Sequence, residues 1–474
     1  MKLSELKTFA QNARNTLYAQ VRSNLEQAIK ENGSLQRNCP EVFEKLRADV
    51  ETFGEDKIIS KVAYYWFNRF CALRFMDVKG YTSSKIVSSE TEGSNIPQIL
   101  SEVKSGYFDE NIISQNEKEK ITSLLNGTEK SINPEADVYH ILLMAACHYW
   151  HQKMPFLFEA YDDYSEYLLP LDLLSSESIL QDIRDAMTKE TCESVEIIGW
   201  LYQYYISEKK DQIIKIDLKN NIKIDPEDIP AATQLFTPEW IVRYVVDNSL
   251  GRLWMLNHPE SSLKDYMEYY IAPAEPETDF LKIEKPQDLK ICDPCCGSGH
   301  MLVYAFELLS KIYEEQGYSN SEIAKLILEN NIFGLELDER AGELASFALM
   351  MKAREKDRRI FNREVRPSIC ILNKIEFSDD ELNNYISTVG SELFTSELIE
   401  TMKQFSEADN FGSLIVPKCQ HISDLIDKLN SLQIEDIFLQ KTHQKVISVL
   451  TTADYLSQKY HIVITNPPYM GLKG

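Results

Sequence analysis

The sequence predicts an α/β protein in two parts, a mostly helical N-terminal domain over residues 1–225 and a Rossmann-like domain with a parallel sheet over residues 226–474. Three observations lead there. Apolar residues recur at three- and four-residue steps in the first half, as in Leu3, Leu6, Phe9 and again Val62, Trp66, Phe70, Leu73. Strand-like and helix-like segments alternate in the second half. Within that half, an apolar strand runs through an acid into a glycine-rich turn and a new helix, the arrangement of nucleotide-binding folds.

Taken in chain order, the first half contains an aromatic-rich stretch, Lys61–Tyr81, whose Tyr64, Tyr65, Trp66, Phe67, Phe70 and Phe75 are expected mostly in the core. Helical spacing resumes from Asp137 to Tyr205, with Pro155, Pro170 and Asp182 marking expected breaks. Lys215–Ile224 alternates charge with Ile and leads to Asp225, Pro226 and Pro230, which reads as a short strand or an extended linker. Four strands are then expected at Leu289–Cys292, Ile332–Leu335, Ser368–Leu372 and Ile462–Thr465. An added helix is expected around Ser321–Glu329, capped by Ser319 or Ser321. Residues 375–458 read as a helical insertion, with helical spacing in Glu392–Phe405 and Ile422–Leu450.

Composition narrows the function classes. With 474 residues, 17 Gly and 17 Pro, the chain is neither collagenous nor low-complexity. It lacks an apolar run of about 18 residues, so no membrane span is expected, and Met1–Ala10 has no signal-peptide core. Nine scattered cysteines suit a reducing cytoplasm better than a disulfide scaffold. A net charge of -24 argues against nucleic acid as a partner, yet residues 1–85 hold 14 Lys/Arg against 10 Asp/Glu, which leaves -28 in the rest. That basic region could meet a phosphate backbone or be an ordinary helical surface.

Three motifs carry chemistry. In Cys292-Asp293-Pro294-Cys295-Cys296-Gly297-Ser298-Gly299, the glycines allow close approach of a ligand, and Asp293 at the strand tip suits a positive amino group better than a pyrophosphate. Glu336 closes the second strand, with Asp338 just beyond, and a carboxylate there is the usual partner of ribose hydroxyls. At the far end, a β-branched run stops in Asn466-Pro467-Pro468-Tyr469. Two prolines make a stiff loop without N–H donors, so it offers carbonyl oxygens, an amide and an aromatic face. That set matches a planar ring bearing an amino group.

DPCCGSG, GLELD and NPPY, in that order, resemble motifs I, II and IV of S-adenosylmethionine-dependent amino-methyltransferases. Upstream, Gln234-Leu235-Phe236-Thr237-Pro238-Glu239 resembles their motif X, and the order X, I, II, IV is that of the gamma group of DNA adenine methyltransferases. Tyr65-Trp66-Phe67-Asn68-Arg69 and Leu73-Arg74-Phe75-Met76 resemble the PglX-type methyltransferases of BREX phage defence. The resemblance implies transfer of a methyl group from S-adenosylmethionine to the N6 amino group of a flipped adenine in double-stranded DNA, in the cytoplasm, with other BREX proteins as partners. By its terms Phe236, Thr237, Pro238, Pro294, Gly297 and Gly299 hold the cofactor, Asp293 faces its ammonium, Glu336 and Asp338 lie at the ribose, and Asn466, Pro467, Pro468 and Tyr469 grip the adenine. No metal is needed.

Other readings are weaker. Pro294-Cys295 is the nucleophile dipeptide of cytosine-C5 enzymes, but it sits in the cofactor loop; Cys292-x-x-Cys295 has zinc spacing without a second pair nearby. Asn-Pro-Pro-Tyr also serves enzymes that methylate a protein glutamine, and cytosine amino-methylation is chemically close. Strands five to seven and a target-recognition segment are expected to be missing, through a cloning boundary, a split gene or a frameshift. The domain then reads as truncated after its fourth strand, and the chain alone as weakly active or as an inactive, partner-dependent DNA- or protein-binding subunit.

Overall fold

A computed structural model of the chain describes residues 3–91, 93–158, 163–212, 237–419, 422–432, 434 and 436–467. The chain divides into two compact units, Met1–Glu208 and Lys209–Gly474. The expected linker strand at Lys215–Ile224 lies outside the described residues, as do Phe236, Pro468 and Tyr469.

The first unit is helical. Helix α1 (Leu3–Ala28) buries Leu6, Ala10, Ala13, Leu17, Val21 and Leu25, one stripe at three- and four-residue steps. It packs on α2 (Glu55–Lys79), the central helix, which is buried on most of its circumference. Gly80 ends α2 in the left-handed conformation that a helix C-terminus favours. Tyr64, Trp66, Phe67, Phe70 and Phe75 are buried, as the aromatic run requires, whereas Tyr65 is only partly covered. Trp66 Nε1 donates to the carbonyl of Ser165 at 2.8 Å. The basic excess of this region is partly internal. Arg69 is 3% exposed beneath Trp66, and Arg74 donates to Ser88 Oγ and to the Met187 carbonyl. The break expected near Asp182 lies just before α3 (Ile179–Ala186): Asp182 sits in its first turn, where the helix dipole favours a carboxylate, and Ser178 supplies the cap.

The second unit holds a four-stranded parallel sheet in the order β3-β2-β1-β4. The strands are β1 (Ile291–Asp293), β2 (Ile332–Glu336), β3 (Ser368–Ile371) and β4 (Ile462–Val463). Registers Ile291↔Ile332 and Ile291↔Ile462 place β1 at the centre. β1 begins two residues later than its apolar pattern suggests and extends through Asp293, and β2 extends through Glu336. Both acids therefore sit on strand tips. The chain steps outward from β1 to β2 to β3, then returns to the other side of β1. That reversal is the topological switch point at which open α/β sheets bind ligands, beyond the carboxyl ends of the strands.

Helices cover both faces. On one, α4 (His300–Glu315) and α5 (Glu339–Lys356) pack on β2 and β3. A Cβ on Gly334 would stand 3.0 Å from Leu302 Cδ1 of α4 and 2.5 Å from Ile369 Cδ1 of the neighbouring β3. On the other face, Tyr455, Leu456 and Tyr460 pack against Cys292, Phe333, Leu335, Cys370 and Leu372. Between β2 and the helix before it, Asn331 is fully buried. Its amide donates to the carbonyls of Pro286 and Leu289 at 2.7 Å each and accepts from Tyr313 Oη at 2.9 Å. The added helix is Asn320–Leu326, and Ser319 with Glu322 forms its capping box.

Between β3 and β4 lie α6 (Asp379–Val389), α7 (Ser396–Gln404), α8 (Ile422–Asn430) and α9 (Ile437–Ser457). The apolar run Ile422–Leu450 is thus two helices. Ser431 folds its hydroxyl back onto the Lys428 carbonyl, and Asp436 starts the second helix by accepting from Leu439 N.

Asn331→Ala is expected to destabilise the sheet by about 1–3 kcal/mol, since two buried carbonyls and a phenol lose their partner. Hydrogen exchange of the β1 and β2 amides checks this; unchanged exchange would contradict the role given to Asn331.

Candidate active site

The glycine loop is held by backbone and by two side chains, Asp293 and Glu336. Cys295 N donates to Asp293 Oδ1 at 3.1 Å, and Cys296 N to the Leu335 carbonyl at 3.0 Å. Gly297 N donates to Glu336 Oε2 at 2.7 Å. Gly297 and Gly299 have φ of +54 and +83, conformations that suit glycine. A Cβ at Gly299 would stand 3.0 Å from Ala345 Cα, so α5 passes directly beneath the loop; a Cβ at Gly297 would meet nothing within 4 Å. The loop is therefore packed on one side and open on the other.

Two carboxylates flank it. Asp293 is 2% exposed, and burial raises its carboxyl to about 7, with Glu336 adding repulsion and Cys295 N opposing it. Glu336 is likewise raised by burial, against three backbone donors: Gly297 N, Leu337 N at 2.9 Å and Asp338 N at 3.0 Å. The sequence makes Glu336 a candidate ribose partner; its grip on the glycine loop appears only in the fold. Asp338 serves α5, accepting from Arg340 N and pairing in a fork with Arg340 Nε and Nη2. Pro294 is partly covered in the turn.

Cys295 and its neighbours are poor nucleophiles. Burial, then the nearby carboxylates Glu336 and Asp293, hold the Cys295 and Cys296 thiols above their ordinary range.

The fourth strand delivers the last motif. Ile464 N donates to the Cys292 carbonyl at 3.0 Å, so Asn466 emerges beside the tip of β1. Its Nδ2 donates to Thr237 Oγ1 at 3.0 Å, joining residues 229 positions apart. Thr237 is 9% exposed, and Pro238 begins a short helix, Glu239–Val246. That helix is anchored by Asp247, fully buried, which accepts from Tyr304 Oη of α4 at 2.8 Å and from Tyr269 N. Asp247 and Tyr304 carry no motif and were silent in the sequence. Pro467 is exposed beyond Asn466. The structure thus brings Asp293, Gly297, Gly299, Glu336, Thr237 and Asn466 to one end of one sheet.

Known proteins resemble this chain in sequence. The family model described as the Eco57I restriction-modification methylase matches residues 330–474, and that of the MmeI DNA-methyltransferase domain matches residues 278–373. The adenine-specific methyltransferase BrxX of Escherichia coli O9:H4 (strain HS) is 40% identical over 465 residues, 91% of this chain and 37% of that protein. The adenine-specific methyltransferase PglX of Lacticaseibacillus casei (strain Zhang) is 34% identical over 445 residues, 87% of this chain and 36% of that protein. A solved structure of the type IIL restriction-modification enzyme MmeI in complex with DNA aligns with a TM-score of 0.31 and 12% identity, over 82% of this chain and 46% of that one. The chain spans a little over a third of the length of its curated relatives, and no helix among the described residues is long and apolar enough to cross a membrane. Over the third of their length that it matches, the chain is similar in sequence to the adenine-specific methyltransferases BrxX and PglX.

Proposed function

We propose that this site methylates the N6 amino group of adenine in DNA, with S-adenosylmethionine as donor, as part of cytoplasmic BREX-type phage defence alongside other proteins of that system. The observation that carries the reading is the hydrogen bond from Asn466 to Thr237, which sets the amino-group acceptor beside a loop shaped for the cofactor.

The residues fit that cofactor. Open space above Gly297 admits a ligand against the backbone. Asp293 supplies one carboxylate for an ammonium and Glu336 one for two ribose hydroxyls, with Thr237, Pro238, Gly297 and Gly299 closing on the methionine part. S-adenosylmethionine, when bound, supplies an electrophilic methyl on a sulfonium sulfur. The protein does the rest by positioning and electrostatics. Thr237 engages the Asn466 amide nitrogen, which gives the acceptor role to Oδ1. Asn466 Oδ1 and the Pro467 carbonyl accept hydrogen bonds from the two hydrogens of the adenine amino group. Its nitrogen lone pair, otherwise delocalised into the ring, is then directed at the methyl. One of those hydrogens leaves as a proton once the nitrogen has taken the methyl and S-adenosylhomocysteine has departed. By the motif resemblance, Tyr469 would stack on the base once it is flipped from the duplex, with Pro468 in the same adenine-gripping motif and Phe236 in the motif that holds the cofactor.

Nucleoside analysis after single-turnover incubation with DNA and labelled cofactor is expected to give N6-methyladenine. N4-methylcytosine, or label in a release-factor glutamine, would overturn the assignment. Asn466→Ala is expected to abolish transfer while leaving S-adenosylhomocysteine affinity within about threefold, because uniform binding and transition-state binding separate at this residue. Equal loss of both in a folded variant would remove Asn466 from the chemistry.

Asp293 makes a pH signature. Its folded carboxyl is raised to about 7, above the unfolded value, so it stabilises only when protonated and that contribution is lost between about pH 4 and pH 7. Binding a ligand ammonium needs the carboxylate. Affinity for S-adenosylhomocysteine is therefore expected to rise about tenfold from pH 6 to pH 8. Asp293→Asn should flatten that profile and raise thermal stability above pH 7. A variant with the wild-type profile would show that the titrating group lies elsewhere.

A further inference from the structure

Thr465 is the one polar member of the run Ile462-Val463-Ile464-Thr465, which forms β4 and leads into Asn466. Its place is fixed from both sides. Ile464 N donates to the Cys292 carbonyl at 3.0 Å, which sets Thr465 beside Asp293, the next residue of β1. One residue on, Asn466 Nδ2 donates to Thr237 Oγ1 at 3.0 Å. Thr465 is only partly covered, but its Oγ1 is buried and finds no hydrogen-bond partner among the described residues. That oxygen lies beside the Asp293 carboxyl and the Cys295 thiol, short of a hydrogen bond of ordinary geometry.

A buried hydroxyl left unpaired costs stability, so such groups are few and each calls for a reason. The neighbouring carboxyl supplies one. Asp293 Oδ1 accepts from Cys295 N at 3.1 Å, which leaves Oδ2 for another donor. A neutral carboxyl is a modest acceptor, whereas a carboxylate bonds a hydroxyl more strongly and at shorter range. The other titratable groups facing Asp293 are Glu336 on β2 and the thiols of Cys292, Cys295 and Cys296, which burial keeps neutral. Thr465 therefore supplies β4 with a donor that answers to the charge on Asp293.

We propose that Thr465 is a positioning residue for methyl transfer: its hydroxyl closes on Asp293 when a ligand ammonium fixes that group as a carboxylate, and this draws the tip of β4, with Asn466, against the cofactor end of the site. The proposal rests on the cofactor reading above. One side chain then couples the two halves of the site. The acceptor for the base is set when the cofactor is in place, and by reciprocity an occupied base site favours a bound cofactor.

Calorimetric titration of the full chain with S-adenosylhomocysteine from about pH 6 to pH 9, together with amide exchange of Thr465 and Asn466, tests this. Thr465→Val keeps the shape and removes the hydroxyl. It is expected to weaken the ligand about tenfold at pH 6 and less than about twofold at pH 9, because a carboxylate without its donor forms only at higher pH. At pH 6, saturating S-adenosylhomocysteine should slow exchange of both amides in the wild type and in Thr465→Ser, and leave it unchanged in Thr465→Val. The ligand-free Val variant should melt no lower than the wild type, since the hydroxyl it removes is unpaired; a clearly lower melting temperature would assign Thr465 to stability and overturn the proposal. A Val variant that matches the wild type in pH profile and exchange overturns it too, as does a Ser variant that behaves like Val. A wild-type chain that does not bind S-adenosylhomocysteine overturns the cofactor reading itself, and this proposal with it.

Discussion

The site depends on Glu336 and the three backbone donors it gathers. A carboxylate at a strand tip is costly to bury, and burial does raise its pKa. Gly297, Leu337 and Asp338 offset that cost with N–H groups, and in doing so they fix the glycine loop to β2. If the loop were free, Gly297 and Gly299 would have no defined backbone, and the open side above Gly297 would have no fixed shape. Asp293 depends on the same arrangement, since its repulsion with Glu336 is part of what keeps it near neutrality. Two strained carboxylates side by side are poor for stability and suited to a ligand that brings an ammonium, hydroxyls and a sulfonium.

The second constraint is distance along the chain. Thr237 and Asn466 meet across 229 residues, so the proposed acceptor reaches its place only when the sheet and the helix that follows Thr237 are both formed. Asp247 buttresses one end by holding the Thr237 helix to α4 through Tyr304. The β1–β4 ladder buttresses the other. Catalytic geometry of this kind is a property of the fold as a whole, which suits chemistry done by positioning rather than by an activated nucleophile.

Much of this was legible in the sequence because strand-tip motifs are local. An apolar run, an acid and two glycines announce Asp293, Gly297 and Gly299, and the β-branched run before Asn466 announces β4. The exact tips were less legible: β1 ends one residue later than its hydrophobicity, because parallel pairing with Phe333 and Gly334 carries it through Asp293. Capping explains the missed break inside Ile422–Leu450, since Asp436 acts through a hydrogen bond that periodicity does not register. Tertiary facts were not legible at all. Nothing near Phe411 in sequence indicates that Gly412 rests on Leu337, and nothing in Arg74 indicates that its charge is spent inside the first unit. A net charge of -24, summed over the chain, likewise says little about one end of one sheet.

The most direct measurement is a crystal structure of the chain with S-adenosylhomocysteine. The account expects the sulfur between the tips of β1 and β4, on the Asn466 side of the glycine loop, with the amino group at Asp293 and the ribose at Glu336. A ligand bound away from these strand tips, or one that leaves the Asn466–Thr237 pair remote from its sulfur, would contradict it.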